Sequence, residues 1–261
     1  MNNLYTKFNS FLGIRIKSKY DLIDFKNSLK SILLDRKNLK GLDKNSLSVL
    51  EYLKKDLFNK KKDKSERPSF VLSPNVVKEI QNIELHQVPR YLVHRYRYEI
   101  YPQIRKFDDF PPYLQIEPTS ICNYRCVFCF QTNNDFNKRS TGFMGRMTLK
   151  TFKTVIDQAE NNIEFISLAS RGEPLTCPNI VKMLEYTRDK FLNLKINTNA
   201  SVLTERISHT ILQSGVRTLV FSADAADEKL YSKLRVNGKL SKVVANIKLF
   251  KKIRDTHYSK A

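Results

Sequence analysis

At 261 residues, 41% hydrophobic and 28% charged, the chain has the composition of a soluble protein with one large domain or two ordinary ones, either able to bury a core. No stretch approaches the ~18–20 consecutive apolar residues of a membrane helix, and the opening "MNNLYTKFNSFLGIRIKSKYD" breaks up its apolar residues and lacks a signal cleavage site, so a membrane or secreted protein is not expected. The net charge of +20 raises polyanion binding, yet 1–112 and 113–261 each carry 23 basic and 13 acidic side chains, +10 apiece, so no basic arm stands out from a neutral body.

In chain order, the first region is predicted to be mostly helical. "DLIDFKNSLKSILLDRKNL" (21–39) sets Leu22, Ile23, Phe25, Leu29, Ile32 and Leu33 at near-helical spacing. "NSLSVLEYLKKDLFNKK" (45–61) repeats that signal, with Leu47, Leu50, Leu53 and Leu57 along one face. The Lys-rich "NKKKDKSERP" (59–68) reads as a solvated linker. "SPNVVKEIQNIELHQVP" begins with Ser73 as an N-cap and Pro74 at the first helical position. "RYLVHRYRYEIYPQIRKF" interleaves aromatic and basic residues; a helix that packs its aromatics on the following domain is favoured over a base-stacking surface. "DDFPP" marks the boundary between a mostly helical, Lys-rich region at 1–111 and a second domain at 112–261.

From Tyr113 the pattern becomes strand, loop, helix, repeated. "YLQIEP" (113–118), "IEFISLAS" (163–170), "NLKINTN" (193–199) and "VRTLVFSAD" (216–224) read as strands. Helices are expected from Thr148, over "IVKMLEYTRDKF", from Thr204 to about Gln213, and over "EKLYSKLR" and "KVVANIKLFKKIR". Such alternation predicts an α/β fold with a parallel sheet, whose ligands gather at the carboxyl ends of the strands. The cysteine loop, "RGEP", "NTN" and "SAD" all fall at those ends.

"ICNYRCVFCF" (121–130) holds Cys122, Cys126 and Cys129, three of the four cysteines, with Cys177 48 residues beyond Cys129. Without an export signal these thiols are expected in a reducing cytoplasm, where metal binding or catalysis outranks a disulfide. Structural zinc commonly takes two C-x2-C pairs or paired histidines, whereas His86, His94, His209 and His257 are scattered and Cys177 reads as an incidental small residue. Three thiolates in one loop suit an iron–sulfur cubane with three irons held and one open. Zinc stays open as the alternative.

The C-x3-C-x2-C spacing, with Phe128 just before the last cysteine and the loop placed after a first strand, resembles the radical S-adenosylmethionine (radical SAM) superfamily. The resemblance extends over about 113–254. "GFMGRMTLKTFKTVIDQ" is similar to its first helix, "RGEPLTCPNIVKML" to its G-G-E-P turn, "INTNASVLTE" to its T-N-G segment, and "VFSADAADEKLYSKLRVNG" to its fourth-strand block. It implies a partial (β/α)6 TIM-like barrel of radical SAM type, incomplete at the C-terminus. It also implies a [4Fe–4S] cluster on Cys122, Cys126 and Cys129 that reductively cleaves S-adenosylmethionine (SAM) to a 5′-deoxyadenosyl radical, which abstracts a substrate hydrogen.

By the same resemblance Gly172, Glu173 and Pro174 bind the amino end of SAM, Ser222 and Arg235 its ribose or carboxylate, and Phe128 presents backbone to the adenine. Asn199 and Asp224 fall on the SAM or substrate side. An electron donor such as flavodoxin or ferredoxin is implied. The subgroup that often carries a C-terminal SPASM domain fits best, with a peptide or sugar/cyclitol substrate. An RNA-modifying radical SAM enzyme, or a non-catalytic metal-stabilised nucleic-acid-binding module, is the rival. Two features depart from the family pattern. Arg171 stands where the first glycine of G-G-E-P is usual, and only four βα units precede Ala261, from which a truncated core with an exposed fourth strand is expected.

Overall fold

A computed structural model describes residues 19–59 and 68–259. Most of the Lys-rich linker and the opening segment lie outside the described residues. The chain divides into two compact units after Asp109.

Among the described residues the first unit holds the α-helices α1 (Lys19–Leu34), α2 (Lys44–Phe58), α3 (Pro74–Gln81) and α4 (Val88–Ile100). Asp43 caps α2 by accepting from the Ser46 backbone N–H at 2.6 Å, and Ser73 caps α3 from Val76 at 3.3 Å, with Pro74 at the start as its fixed φ favours. The buried stripe of α2 is Ser46, Val49, Leu50, Leu53 and Leu57. Leu47, expected on that face, is 39% exposed, and in α1 Leu29 and Leu33 are buried while Ile23 is exposed. At 3.6 residues per turn Leu47 lies at the margin of the stripe that Leu50, Leu53 and Leu57 define. Tyr96 of α4 packs its ring on Phe70 and edge-on against Tyr101 in the same unit. Tyr91 and Tyr96 of the aromatic stretch are buried and thus build part of the core of their own unit.

The second unit is α/β. Its sheet contains β1 (Leu114–Ile116), β3 (Phe165–Leu168), β4 (Asn193–Thr198) and β5 (Val216–Phe221), all parallel, in the order β1-β3-β4-β5. Two-residue strands β2 (Arg125–Cys126) and β6 (Arg235–Val236) pair antiparallel apart from it. A four-residue helix, α5 (Asn134–Asn137), sits in the loop after the cysteines. The main helices are α6 (Leu149–Ala159), α7 (Ile180–Tyr186), α8 (Glu205–Gln213), α9 (Glu228–Leu234) and α10 (Leu240–His257). Thr148, Thr204 and Asp227 cap α6, α8 and α9 through their side-chain oxygens. The helix α7 stops at Tyr186 rather than running on to Phe191. Thr187 turns its hydroxyl back to the Leu184 carbonyl at 2.8 Å, and Asp189 takes a positive φ of 60°.

Alternation along the strands gives the sheet two faces. Ile166, Leu168, Leu194 and Ile196 join Phe152, Ile156, Met183, Leu184 and Ile211 in the apolar core. Cys177 is part of this core, 2% exposed. The residues between them, Ser167, Lys195 and Asn197, turn to the opposite face.

Candidate functional site

The cysteine loop leaves β1 and is fixed at its root. The Ser120 N–H reaches the Gly145 carbonyl at 3.0 Å, the Gly145 N–H returns to Ser120 Oγ at 2.7 Å, and the Gln131 amide donates to the Ser120 carbonyl. From this root Cys122, Cys126 and Cys129 all line one cavity of about 260 Å³. Cys126 lies in β2, whose pairing with β6 sets it opposite Arg235.

Each inner sulfur faces nitrogen donors. The Tyr124 backbone N–H points to Cys122 Sγ at 3.4 Å and the Asn199 amide lies 4.0 Å from it. Arg235 Nη1 donates to Cys126 Sγ at 3.7 Å. Burial pushes both thiols up from the ordinary cysteine range, while the Tyr124 N–H on Cys122 and the Arg235 charge beside Cys126 pull the other way. Among the described residues no three His, Cys, Asp or Glu side chains enclose a single ion. An all-thiol set without histidine, supplied with N–H donors to sulfur, fits a cubane cluster that offers each thiolate its own iron.

The "RGEP" turn after β3 closes the second wall. Gly172 lies so near the cysteine loop that a Cβ would come 1.8 Å from the Thr119 carbonyl oxygen, and the Glu173 N–H donates to the Ile121 carbonyl at 3.1 Å. Glu173 is 3% exposed. Its Oε1 accepts from Thr198 Oγ1 at 2.6 Å and the Leu175 N–H at 3.1 Å; its Oε2 accepts from the Asn199 N–H at 2.7 Å. Burial pushes its carboxyl up, against the pull of those three donors. It lines the cavity while joining the β3 and β4 loops. Pro174 opens the short turn 174–176 and is buried without lining the cavity.

Asn199 is similarly engaged. Its amide nitrogen reaches Asn123 Oδ1 at 3.0 Å and its own Oδ1 accepts from the Ser201 N–H and hydroxyl. Ser222, after β5, lines the cavity, and its N–H donates to the Thr198 carbonyl at 2.9 Å. Arg235 is 7% exposed, forms an ion pair with Asp224, and stands 5.6 Å from the Phe128 ring centre. Asp224 does not line the cavity itself. Of the sequence candidates, the structure therefore gathers Cys122, Cys126, Phe128, Cys129, Gly172, Glu173, Asn199, Ser222 and Arg235 around one space.

Sequence reasoning missed several members. Arg171, noted only as a departure, binds Glu117: its backbone N–H and Nε donate to Oε2 at 2.8 and 3.1 Å, and Nη2 donates to Oε1 at 2.8 Å. Asn123 and Ser201 brace the cysteine loop against the segment after β4, with Asn123 Nδ2 on Ser201 Oγ at 2.7 Å. Asn197 lines the cavity from the end of β4; strand alternation alone would have found it.

The Radical SAM superfamily model matches residues 116–258. The AdoMet-dependent heme synthase of Methanosarcina barkeri is 29% identical over 143 residues, 54% of this chain and 40% of its own length. The tungsten-containing aldehyde ferredoxin oxidoreductase cofactor-modifying protein of Pyrococcus furiosus is 30% identical over 114 residues, 43% of this chain and 30% of its own. Among solved structures, Streptococcus suis SuiB bound to S-adenosylmethionine has a TM-score of 0.47 and 22% identity, covering 63% of this chain and 37% of that one. The chain thus spans less than half the length of these relatives. The family match takes in more than half of the 261 residues and every residue that lines the cavity, and by it the chain belongs to the Radical SAM superfamily.

Proposed function

We propose that the second unit forms the cofactor site of a radical SAM enzyme. The observation that supports this most is the convergence of three thiols from one loop, with nitrogen donors beside two of them, on a cavity walled by Gly172, Glu173, Ser222 and Arg235. Cys122, Cys126 and Cys129 would hold a [4Fe–4S] cluster, and SAM would take the remaining iron. Such a pair of cofactors supplies one-electron reductive cleavage of the sulfonium and a 5′-deoxyadenosyl radical for hydrogen abstraction.

The chain's own residues bind and orient. Gly172 lets backbone lie against the cysteine loop, where any side chain would collide. Arg235 donates toward the Cys126 sulfur and keeps Asp224 as counter-ion. Phe128 covers the guanidinium at the cavity's edge. Glu173 and Asn199 hold the β3 and β4 loops at a fixed separation, Pro174 stiffens the turn behind them, and Ser222 offers a hydroxyl from the end of β5.

The finer reading, the SPASM-type subgroup with a peptide or sugar/cyclitol substrate, rests on the style of the "EPTSIC…GFM" stretch. An electron donor such as flavodoxin or ferredoxin would supply the reducing equivalent. The test is anaerobic reconstitution with iron and sulfide, followed by dithionite and SAM. About four irons per chain and release of 5′-deoxyadenosine are expected, both lost in Cys126→Ala. Tight zinc with no SAM cleavage would overturn the reading in favour of a structural metal site.

A further inference from the structure

The sheet face opposite the core helices carries an unusual row. The register aligns Gln115 with Ser167, Ser167 with Lys195, and Lys195 with Thr218. Inner layers of closed (β/α) barrels are filled by bulky branched residues that pack against one another. Here four successive strands contribute an amide, a hydroxyl, an ammonium and a second hydroxyl instead. The same face, one alternation further along, presents Asn197 opposite Val220, and then Ser222. Asn197 and Ser222 line the cavity beside the cysteines, so the polar row lies directly below it on one continuous face.

Two groups in this column lack protein partners. Asn197 Oδ1 is buried with no hydrogen-bond donor among the described residues, a state that costs free energy unless something else donates to it. Lys195 is half-buried and has no acidic partner among the described residues. The acids nearest the cavity are already engaged: Glu117 by Arg171, Asp224 by Arg235, and Glu173 by its three donors. Lys195 is therefore the uncompensated charge of the face. Two residues along a strand separate it from Asn197 by roughly 6.6 Å.

We propose that Lys195 and Asn197 form the substrate-recognition pair of this site, for a small anionic substrate. Lys195 takes a carboxylate or phosphate, and Asn197 Oδ1 accepts from a hydroxyl or N–H of the same molecule nearer the cavity. An ammonium serves either anion as a point charge. The word substrate rests on the cofactor reading above, whereas the anion site is measured without it.

The test titrates the full-length protein, at fixed ionic strength, with inorganic phosphate, acetate, glycerol phosphate and glycerol. Saturable binding of phosphate or acetate is expected, and the stronger of the two identifies the anion. Lys195→Gln should weaken it about tenfold or more. Lys252→Gln, which removes the same charge from the exposed side of α10, should leave it unchanged. Asn197→Leu should weaken glycerol phosphate about fivefold and inorganic phosphate hardly at all. Unfolding midpoints of the variants check that each is folded. Wild-type anion affinity in Lys195→Gln, no saturable anion binding at all, or glycerol binding as tightly as glycerol phosphate would each overturn the proposal. Should the anion site behave as stated while no SAM is cleaved, the cofactor reading fails alone; SAM cleavage with an anion titration indifferent to Lys195 sinks this inference alone.

Discussion

A methyl group on residue 172 would meet the Thr119 carbonyl oxygen at 1.8 Å and the Ile121 carbonyl oxygen at 2.9 Å. Both are backbone atoms of the loop that carries the cysteines, so no side chain can swing away to make room. The contact also explains why Glu173 can reach the Ile121 carbonyl and, on its other side, the Asn199 N–H. One missing Cβ thus sets the distance between the thiols and the β4 loop. Gly172→Ala is expected to lower stability by about 1–3 kcal/mol and to reduce the iron held after reconstitution. Denaturant unfolding and iron analysis measure the two effects together. An alanine variant with the wild-type unfolding midpoint and iron content would show that the loop yields freely.

Among the elements, the ends of β1 and β3 are tied by the Glu117 carboxylate. It accepts the Arg171 N–H and guanidinium at the turn where Ser170, not glycine, adopts a φ of 126°. A non-glycine residue there is strained and persists because its surroundings hold it. Burial raises the Glu117 carboxyl, but the Arg171 side chain, the Arg171 N–H and the Ser170 hydroxyl outweigh it, leaving the group below its ordinary value of 4.5. A carboxyl depressed on folding stabilises the protein above its unfolded value and loses that contribution as pH falls through its folded one. Glu117→Gln should therefore be less stable than wild type at pH 7, with the gap narrowing as pH falls below about 4.5. Urea midpoints across that range read it, and a gap independent of pH would assign the loss to packing instead of charge. The parallel sheet was legible because its strands and helices follow two clean periodicities, and the caps Ser73, Thr148 and Thr204 announced their helices. The two-residue ribbon of β2 and β6 was not, because a pair of residues carries no period. The Glu117–Arg171 clamp was hidden too, since 54 residues separate its partners. The cysteine spacing marked the site, and the Tyr124 N–H is local to it, but the donors from Asn199 and Arg235 are brought to the sulfurs only by the fold.

For the molecule as a whole, the net charge of +20 is the property that most favours the nucleic-acid reading, and its distribution argues for general affinity rather than recognition. Each half contributes +10, and the pocket's own arginines at 171 and 235 are paired with Glu117 and Asp224. A cation bound to a carboxylate releases fewer counterions from a phosphate chain than a free one. Of the aromatic stretch that could have stacked bases, Tyr91, Tyr96 and Tyr101 are buried in their own helical unit, while Tyr98 and Phe107 are exposed. Binding of a single-stranded RNA should therefore be driven by scattered exposed lysines, weaken steeply with salt, and ignore sequence. In a filter or anisotropy titration at about 0.15 M salt, scrambling the oligonucleotide is expected to change affinity less than about twofold, and Cys126→Ala should bind as wild type. A preference of about 10³-fold or more for one sequence at that salt, the range of specific recognition, would show a reading surface instead. It would turn the basic side chains from a consequence of composition into part of the substrate site.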